Sequence, residues 1–451
     1  MKAKKYMVAL LLIGTLTLTV SCSKANIENE ASKTKDDIAE IKIDVMEREH
    51  YLLDAIKKFN ENHEAVKISY DTIARNEESK NKYITKLSTG ESADIIRIEP
   101  WIFSAVNKVA DSGIFYDINE FINKDKNFEL SDYNQKVLDS GIINGKRVFI
   151  PLGYSFKAFY AKNNVLEENG FVTEGSDWTL EYLADKASSF MQKNKDSGKI
   201  YMVSYKFNLS DIVKCSGLKL IDYEKKRVTT NSPEFINLMN IYKKMYSTVK
   251  DKGNFSSTGI MSEEFVEMTS DYSEINNGTA LTMDNKVEPQ WFKDGLNKIL
   301  NVYLFPQYTS EKSILLEPML SFAINSKSNY KKEAYEFLKL ILSEEYQNSG
   351  KRQRNFSYIP VNNNAYLNNV NFYISNLGNN QTVNGEYNAE KRKAKVKEQY
   401  QEIQKISVCD TVDAQVYDII DTEAKNFIDG KYSAEKTAEI IQEKVMLYLN
   451  E

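Results

Sequence analysis

Two residue types that often carry nucleophilic and metal chemistry are nearly absent from this chain. It has two histidines, His50 and His63, and three cysteines, Cys22, Cys215 and Cys409. A zinc or iron–sulfur site needs a local cluster of such ligands, and they form none in sequence. A serine–histidine triad would rest on one of two histidines, and neither sits in a nucleophile motif. No metal and no cofactor is therefore expected, an oxygen-only calcium site in an acidic loop being the one exception left open. Cys215 and Cys409 read as two isolated thiols, with a disulfide formed after export as the alternative. What remains is hydrogen bonding and stacking. In open α/β sheets a ligand sits beyond the carboxyl ends of the strands. That rule selects Met46, Glu47, Arg48 and Glu49 after a first strand, Glu99 and Trp101 after a third, and Tyr154 and Phe156 at a crossover. It adds Asp284 and Asn285 after a short strand at 280–283, and Arg354 and Tyr358 in a late crossing. Four have a plainer reading: Glu47 and Arg48 as caps of the first helix, Trp101 as core, Asp284 as a turn residue.

The elements that must hold these residues alternate strand with helix. Ile41-Lys42-Ile43-Asp44-Val45-Met46 has a strand pattern, and Leu52, Leu53, Ile56 and Phe59 recur at helical spacing. Val66-Lys67-Ile68-Ser69-Tyr70 reads as a second strand, Tyr83 and Leu87 as a helix stopped at Gly90, and 93–98 as a third strand. A helix is expected over 101–110. Parallel neighbours need such crossovers, so the sheet is largely parallel. Asn144-Gly145 is a tight-turn pair, and Pro151 is read as the end of an element and a lobe boundary. Trp178-Thr179 opens a helix, with Thr179 as its N-cap and Trp178 and Leu183 as a hydrophobic staple. Residues 319–324 read as a strand, and 330–342 and 438–449 as helices. Trp291 reads as packing within a helix, 362–388 as an exposed polar excursion, and the basic run at 391–397 as a solvated helix face.

The amino terminus is an address. Lys2, Lys4 and Lys5 precede an apolar stretch at 7–20, the layout of a secretory signal. The run Leu18-Thr19-Val20-Ser21-Cys22 resembles a bacterial lipobox, with Thr19 where Leu is usual. It implies removal of residues 1–21, a lipid on Cys22 and a flexible tether at 22–38; plain signal cleavage or a short buried helix is the alternative. The formal net charge of -5 provides no cationic surplus for nucleic acid. Hydrophobic residues make up 42% and charged residues 27%, as in a soluble globular chain. A chain of 451 residues exceeds one ordinary core and suits two or three lobes.

Several segments resemble, in order, the extracellular solute-binding proteins of family 1. Phe59-Asn60-Glu61-Asn62-His63 with the strand after it is similar to their first helix and second strand. Leu87-Ser88-Thr89-Gly90-Glu91-Ser92-Ala93-Asp94-Ile95-Ile96 is similar to a family segment in which Pro stands at the place of Ala93. Asn144-Gly145-Lys146-Arg147-Val148-Phe149-Ile150-Pro151 matches the family's crossover. Phe159-Tyr160-Ala161-Lys162-Asn163 has Ala161 where Tyr is usual. Asp177-Trp178-Thr179, Phe322-Ala323-Ile324-Asn325, Ile359-Pro360-Val361 and the ending Leu447-Tyr448-Leu449-Asn450-Glu451 also fit. Glu317-Pro318 stands where the family has Gly-Gly.

The resemblance implies an α/β, type II periplasmic-binding-protein fold, with two α/β lobes, a hinge and an interlobe cleft. It places lobe one at 39–150 plus 318–355 and lobe two at 151–317 plus 356–451. It further implies a monomer, lipid-anchored on the outer face of a bacterial cell membrane, that captures a mono- or oligosaccharide. The ligand passes to the permease subunits of an ABC importer, without catalysis. Sugars offer hydroxyls that donate and accept, and apolar C–H faces, which suits carboxylates, amides, Arg and aromatic rings. The alternatives are a polyamine, a phosphorylated polyol or a peptide as ligand. A surface glycosidase using Glu47 and Glu99 as acid and base, and an adhesin or structural lipoprotein, complete the set.

Overall fold

The computed structural model describes residues 38–47, 49–99, 101–156, 158–162, 170–172, 175–193, 201–205, 208–251, 279–284, 300–309, 315–348, 359–376, 394, 408–409 and 413–451. The first strand, β1 (Ala39–Met46), alternates and is then buried from Ile43 onward. Helix α1 (His50–Asn62) turns Leu52, Ala55, Ile56 and Phe59 to one buried face. After β2 (Val66–Ile73) comes α2 (Glu77–Thr89). Asn76 caps it by accepting the Ser79 N–H at 2.9 Å, and Gly90 closes it at φ 78°. β3 (Ile95–Ile98) is buried throughout. Helices α3 (Val106–Asp111), α4 (Asn119–Ile122) and α5 (Gln135–Asp139) lead to a hairpin, β4 (Ile142–Ile143) and β5 (Lys146–Arg147). Its turn residues Asn144 and Gly145 have φ of 50° and 76°, the left-handed pair that Asn-Gly accommodates.

Strands β6 (Ile150–Phe156) and β7 (Ala158–Lys162) follow, then α6 (Leu180–Lys193), β8 (Tyr201–Tyr205) and α7 (Leu209–Ser216). Thr179 Oγ1 accepts the Tyr182 N–H at 3.1 Å and so caps α6, while Trp178 is buried beside it. A second hairpin, β9 (Ile221–Asp222) and β10 (Arg227–Val228), precedes α8 (Pro233–Tyr246), β11 (Val249–Asp251), β12 (Thr279–Asp284) and β13 (Leu300–Leu304). The chain then forms β14 (Leu315–Ile324), α9 (Lys331–Leu342), α10 (Glu344–Gln347), β15 (Ile359–Pro360) and α11 (Asn363–Asn376). It ends with β16 (Val408–Cys409), α12 (Ala414–Ile428) and α13 (Ala434–Asn450).

These elements build two sheets. One has the order β15-β6-β14-β3-β1-β2, with β16 also on β14; the other has the order β11-β8-β12-β7-β13. β1 runs parallel to β2 and β3, whereas β14 is antiparallel to β3 and β6. Ile41, Ile43, Leu52, Phe59, Phe322 and Phe337 centre the core under the first sheet. A separate core unites Trp178, Phe235, Leu238 and Ile212 with Ile420 of α12 and Ile441 of α13. The fold is thus a mixed α/β architecture of two sheets, each with its own core.

The register places the crossings between lobes side by side. Ala158 lies opposite both Leu304 and Asp284, Phe156 lies opposite Leu316, and Leu316 pairs in turn with Cys409. The strand ends at Phe156, Leu315 and Cys409 therefore lie side by side in the first sheet, as those at Ala158, Leu304 and Asp284 do in the second.

Local readings change in three places. Pro151 does not end an element: β6 runs through it, paired to Ser321 on one side. β15 reaches only as far as Gly153, so Pro151 has no strand neighbour there to receive an N–H. The first sheet takes in 150–156, 315–324 and 359–360. The helix expected from residue 101 begins at Val106, because the Glu99 carbonyl accepts both the Ile102 and Phe103 N–H groups in a tight turn. The polar stretch after 362 opens as α11, with Ala365 and Tyr366 buried and Asn362 Oδ1 capping the Ala365 N–H at 3.0 Å. Burial and a cap outweigh the weak helix propensity of Asn. Trp291 and the basic run at 391–397, Ala394 apart, lie outside the described residues.

Candidate binding rim at the strand carboxyl ends

β3 reads Ile-Ile-Arg-Ile, and a guanidinium in a fully buried strand must find acceptors. Arg97 is 2% exposed. Its Nε and Nη2 donate to Glu49 Oε1 at 3.2 and 3.0 Å. Nη2 is also 3.0 Å from Glu99 Oε2, and Nη1 donates to the Ile98 and Ser321 carbonyls. Glu49 Oε2 in turn accepts the Met46 N–H at 3.0 Å, which ties the pair to the end of β1. Burial pushes the Arg97 guanidinium down, but the carboxylates of Glu49 and Glu99 outweigh it and hold it above its ordinary value. Arg75, beyond β2, extends the chain outward with Nη2 3.0 Å from Glu99 Oε1. Side-chain exposure rises from 3% at Arg97 to 13% at Glu99 and 68% at Arg75, so the series runs from core to solvent.

Trp101 follows Glu99 directly. It is half-buried against a cluster that includes Ile98, Ile102 and Phe103, and Lys80 Nζ lies 5.7 Å from its ring centroid. Part of its surface is therefore core and part is open. Glu47 is exposed at the end of β1, with its N–H donating to the Ile73 carbonyl at 3.0 Å. The carboxyl ends of β1, β2 and β3 thus gather Glu47, Glu49, Arg75, Glu99 and Trp101 along one edge. Such a rim presents ordered acceptors and donors beside an aromatic face. It can grip a hydroxylated solute without breaking a bond.

The other expected site residues divide. Tyr154 is 1% exposed within the first core, so its ring packs among apolar neighbours and is not a rim residue. It lies on β6 between β15 and β14, and its side chain is buried in the core on one face of the sheet. Asp284 is the last residue of β12, opposite Ala158 at the first crossing. Arg48, Asn285, Arg354 and Tyr358 lie outside the described residues. Sequence reasoning placed Glu49 among the candidates after the first strand but passed over Arg97 and Arg75. The signal for Arg97 was present: one cation in an otherwise aliphatic strand calls for a buried partner. No cue pointed to Arg75.

Among the described residues no group of three or more His, Cys, Asp or Glu is placed to hold a metal ion. His63 instead stacks on Phe59 with ring centroids 3.8 Å apart. Cys215 is a buried thiol on α7, in the second core.

A family model of bacterial extracellular solute-binding proteins matches residues 46–348, which include the whole second sheet, strands β2, β3, β6 and β14 of the first, and the rim residues. The chain belongs to this family. Solved structures agree on the fold of this solute-binding protein. An ABC substrate-binding protein from Listeria monocytogenes, in complex with cycloalternan, is 16% identical with a TM-score of 0.62 and covers 92% of this chain and 100% of its own. A periplasmic oligogalacturonide-binding protein from Yersinia enterocolitica is 15% identical with a TM-score of 0.66, covering 91% and 99%. The sugar-binding protein MalE from Xanthomonas citri is 11% identical with a TM-score of 0.68, covering 91% and 98%. No described helix of the solute-binding protein is long and apolar enough to cross a membrane.

Proposed function

We propose that this solute-binding protein captures a mono- or oligosaccharide between its lobes for an ABC importer, and performs no catalysis. The observation that carries the reading is the rim itself. Glu99 is fixed between Arg97 and Arg75 and adjoins the part-open ring of Trp101, at the carboxyl ends of parallel strands. Carboxylate and guanidinium groups serve sugar hydroxyls, and a ring serves the C–H face. The fold relatives that bind cycloalternan, oligogalacturonide and sugars support a carbohydrate over the other solutes. Asp284 supplies the facing wall in this reading, with Asn285, Arg354, Tyr358, Arg48 and Glu47 as further contacts. The lobes divide near the crossings at 156–158, 304–315 and 409–413.

A thermal-shift screen of a sugar library tests the ligand class, because ligand at about 100 times its Kd adds about 2.7 kcal/mol to the native state. Trp101→Ala then weakens the best ligand by roughly 1–3 kcal/mol, the worth of a stacked aromatic face. If no sugar raises the melting temperature while a polyamine or peptide does, the carbohydrate assignment fails. Turnover of oligosaccharides by the pure protein would replace the binding role with a glycosidase. Residues 1–21 are a signal peptide in this proposal, Cys22 carries the lipid, and 22–38 tether the lobes to the membrane beside the permease. Cys22→Ala abolishes palmitate incorporation; unchanged labelling refutes the anchor.

A further inference from the structure

We propose that this protein has a second small-molecule site, for a hydroxylated carboxylate of sugar-acid type, in a crevice apart from the rim. The crevice holds about 950 Å³ and is walled by the β4–β5 hairpin with Asn107 of α3 on one side and by residues 219–224, Arg227 and Thr229 on the other. That volume suits one or two sugar rings. Glu47, Glu99 and Trp101 do not line it.

The lining is short of acceptors. Lys219 and Arg227 are exposed and make no salt bridge among the described residues, although Arg227 stands opposite Asp222 in the hairpin and joins the Lys225 N–H in holding its carboxyl below the usual value. Asp222 is already engaged, accepting the Lys225 N–H at 3.0 Å with Lys225 Nζ at 3.4 Å. Asn144 Nδ2 is likewise committed to Asp111 at 2.7 Å. Asn107 Nδ2 is shut from solvent with no hydrogen-bond partner among the described residues. A buried donor left unpaired is costly, and an acceptor in the crevice removes that cost once the amide turns toward it. The lining thus holds Lys219, Arg227 and one orphaned amide donor, with Glu224 as its exposed acceptor. A carboxylate between Lys219 and Arg227, with hydroxyls toward Asn107 and Glu224, satisfies all of them.

The floor of the crevice connects to the hinge. Tyr223 hydrogen bonds to Asp413, which also accepts the Tyr448 hydroxyl at 3.1 Å. Lys108 of α3 lies 4.0 Å from the centroid of the Tyr448 ring. Asp413 itself follows the crossing at 409–413. An occupant touching both hairpins therefore favours one lobe angle, and by linkage it changes affinity at the rim by the same factor that the rim ligand changes its own.

Glucuronate and gluconate are the probes, titrated into the full chain by calorimetry, with glucose and glucitol as neutral matches. The expected result is one bound sugar acid, with affinity lowered about tenfold in Arg227→Ala and in Lys219→Ala. Both variants alter exposed side chains, and circular dichroism checks their folding. Asn107→Leu gives a third loss through a different group. Absence of binding up to roughly 10 mM overturns the proposal. So does equal affinity for the neutral matches, or a loss that follows Glu99→Gln and not the crevice variants.

Discussion

Arg97 illustrates what a charge in an aliphatic strand demands. Its two carboxylate partners and two carbonyl acceptors are all in place, so removing one partner leaves the others stranded. Arg97→Met costs about 3–5 kcal/mol, the usual penalty for breaking a buried pair. Denaturant titration measures it, and a loss below about 1 kcal/mol would mean the network does not hold the rim. Asp44 is a second buried charge, and it is poorly served. It is 2% exposed, its Oδ2 lacks a hydrogen-bond partner among the described residues, and burial raises its pKa from 3.8 to about 6, partly offset by Lys86. The folded protein thus holds this proton more tightly than the unfolded chain. Stability falls as pH rises through about 4 to 6, and the penalty is complete above that range. Asp44→Asn removes the titrating group. Its melting temperature should exceed that of the wild type near pH 7.5, with the gap closing toward pH 4. A gap independent of pH contradicts the assignment.

At the scale of elements, the β4–β5 hairpin depends on how closely the chain passes itself. A Cβ placed on Gly141 would lie 1.9 Å from the Phe149 carbonyl oxygen, and Val148 N–H donates to the Gly141 carbonyl at 2.8 Å. Backbone cannot yield as a flexible side chain does. Gly141→Ala should cost about 1–3 kcal/mol, as overpacking does. Gly145→Ala also costs stability, through its φ of 76°, with open space around its Cβ. A Gly141→Ala protein as stable as the wild type in thermal melts would show that the hairpin is free to shift. Asn-Gly was legible here as a turn because its chemistry is local. Pro151 was misread as a stop because its tolerance depends on where β15 ends, which no local pattern records.

At the scale of the whole molecule, neighbouring crossings make a narrow hinge between two separate cores. Few contacts then fix the lobe angle, and rotation about the crossings is the default motion. The described contacts between lobes are modest: Gln415 N–H donates to the Ser104 carbonyl at 3.2 Å, and Lys108 meets Tyr448. A ligand held by both lobes favours the closed form in proportion to its differential affinity. X-ray scattering at saturating ligand should show a smaller radius of gyration than the empty protein. An unchanged profile with a ligand proven to bind removes closure from the mechanism.

Some properties follow from sequence alone. The strand–helix alternation, the Asn144-Gly145 turn, the Thr179 cap and the apolar faces of α1 and α9 each involve residues close along the chain. Local sterics and periodicity determine them. The ordered family segments also specified the architecture, since that order is itself a property of the chain. Other features arise only when distant residues meet. Glu49 meets Arg97 across 48 positions, and Ser321 meets it across 224. Tyr154 looked like a cleft residue because it follows a crossover, yet its ring is buried in the core packed on the first sheet. Which face of a strand is buried depends on what packs above it, and only the tertiary structure decides that.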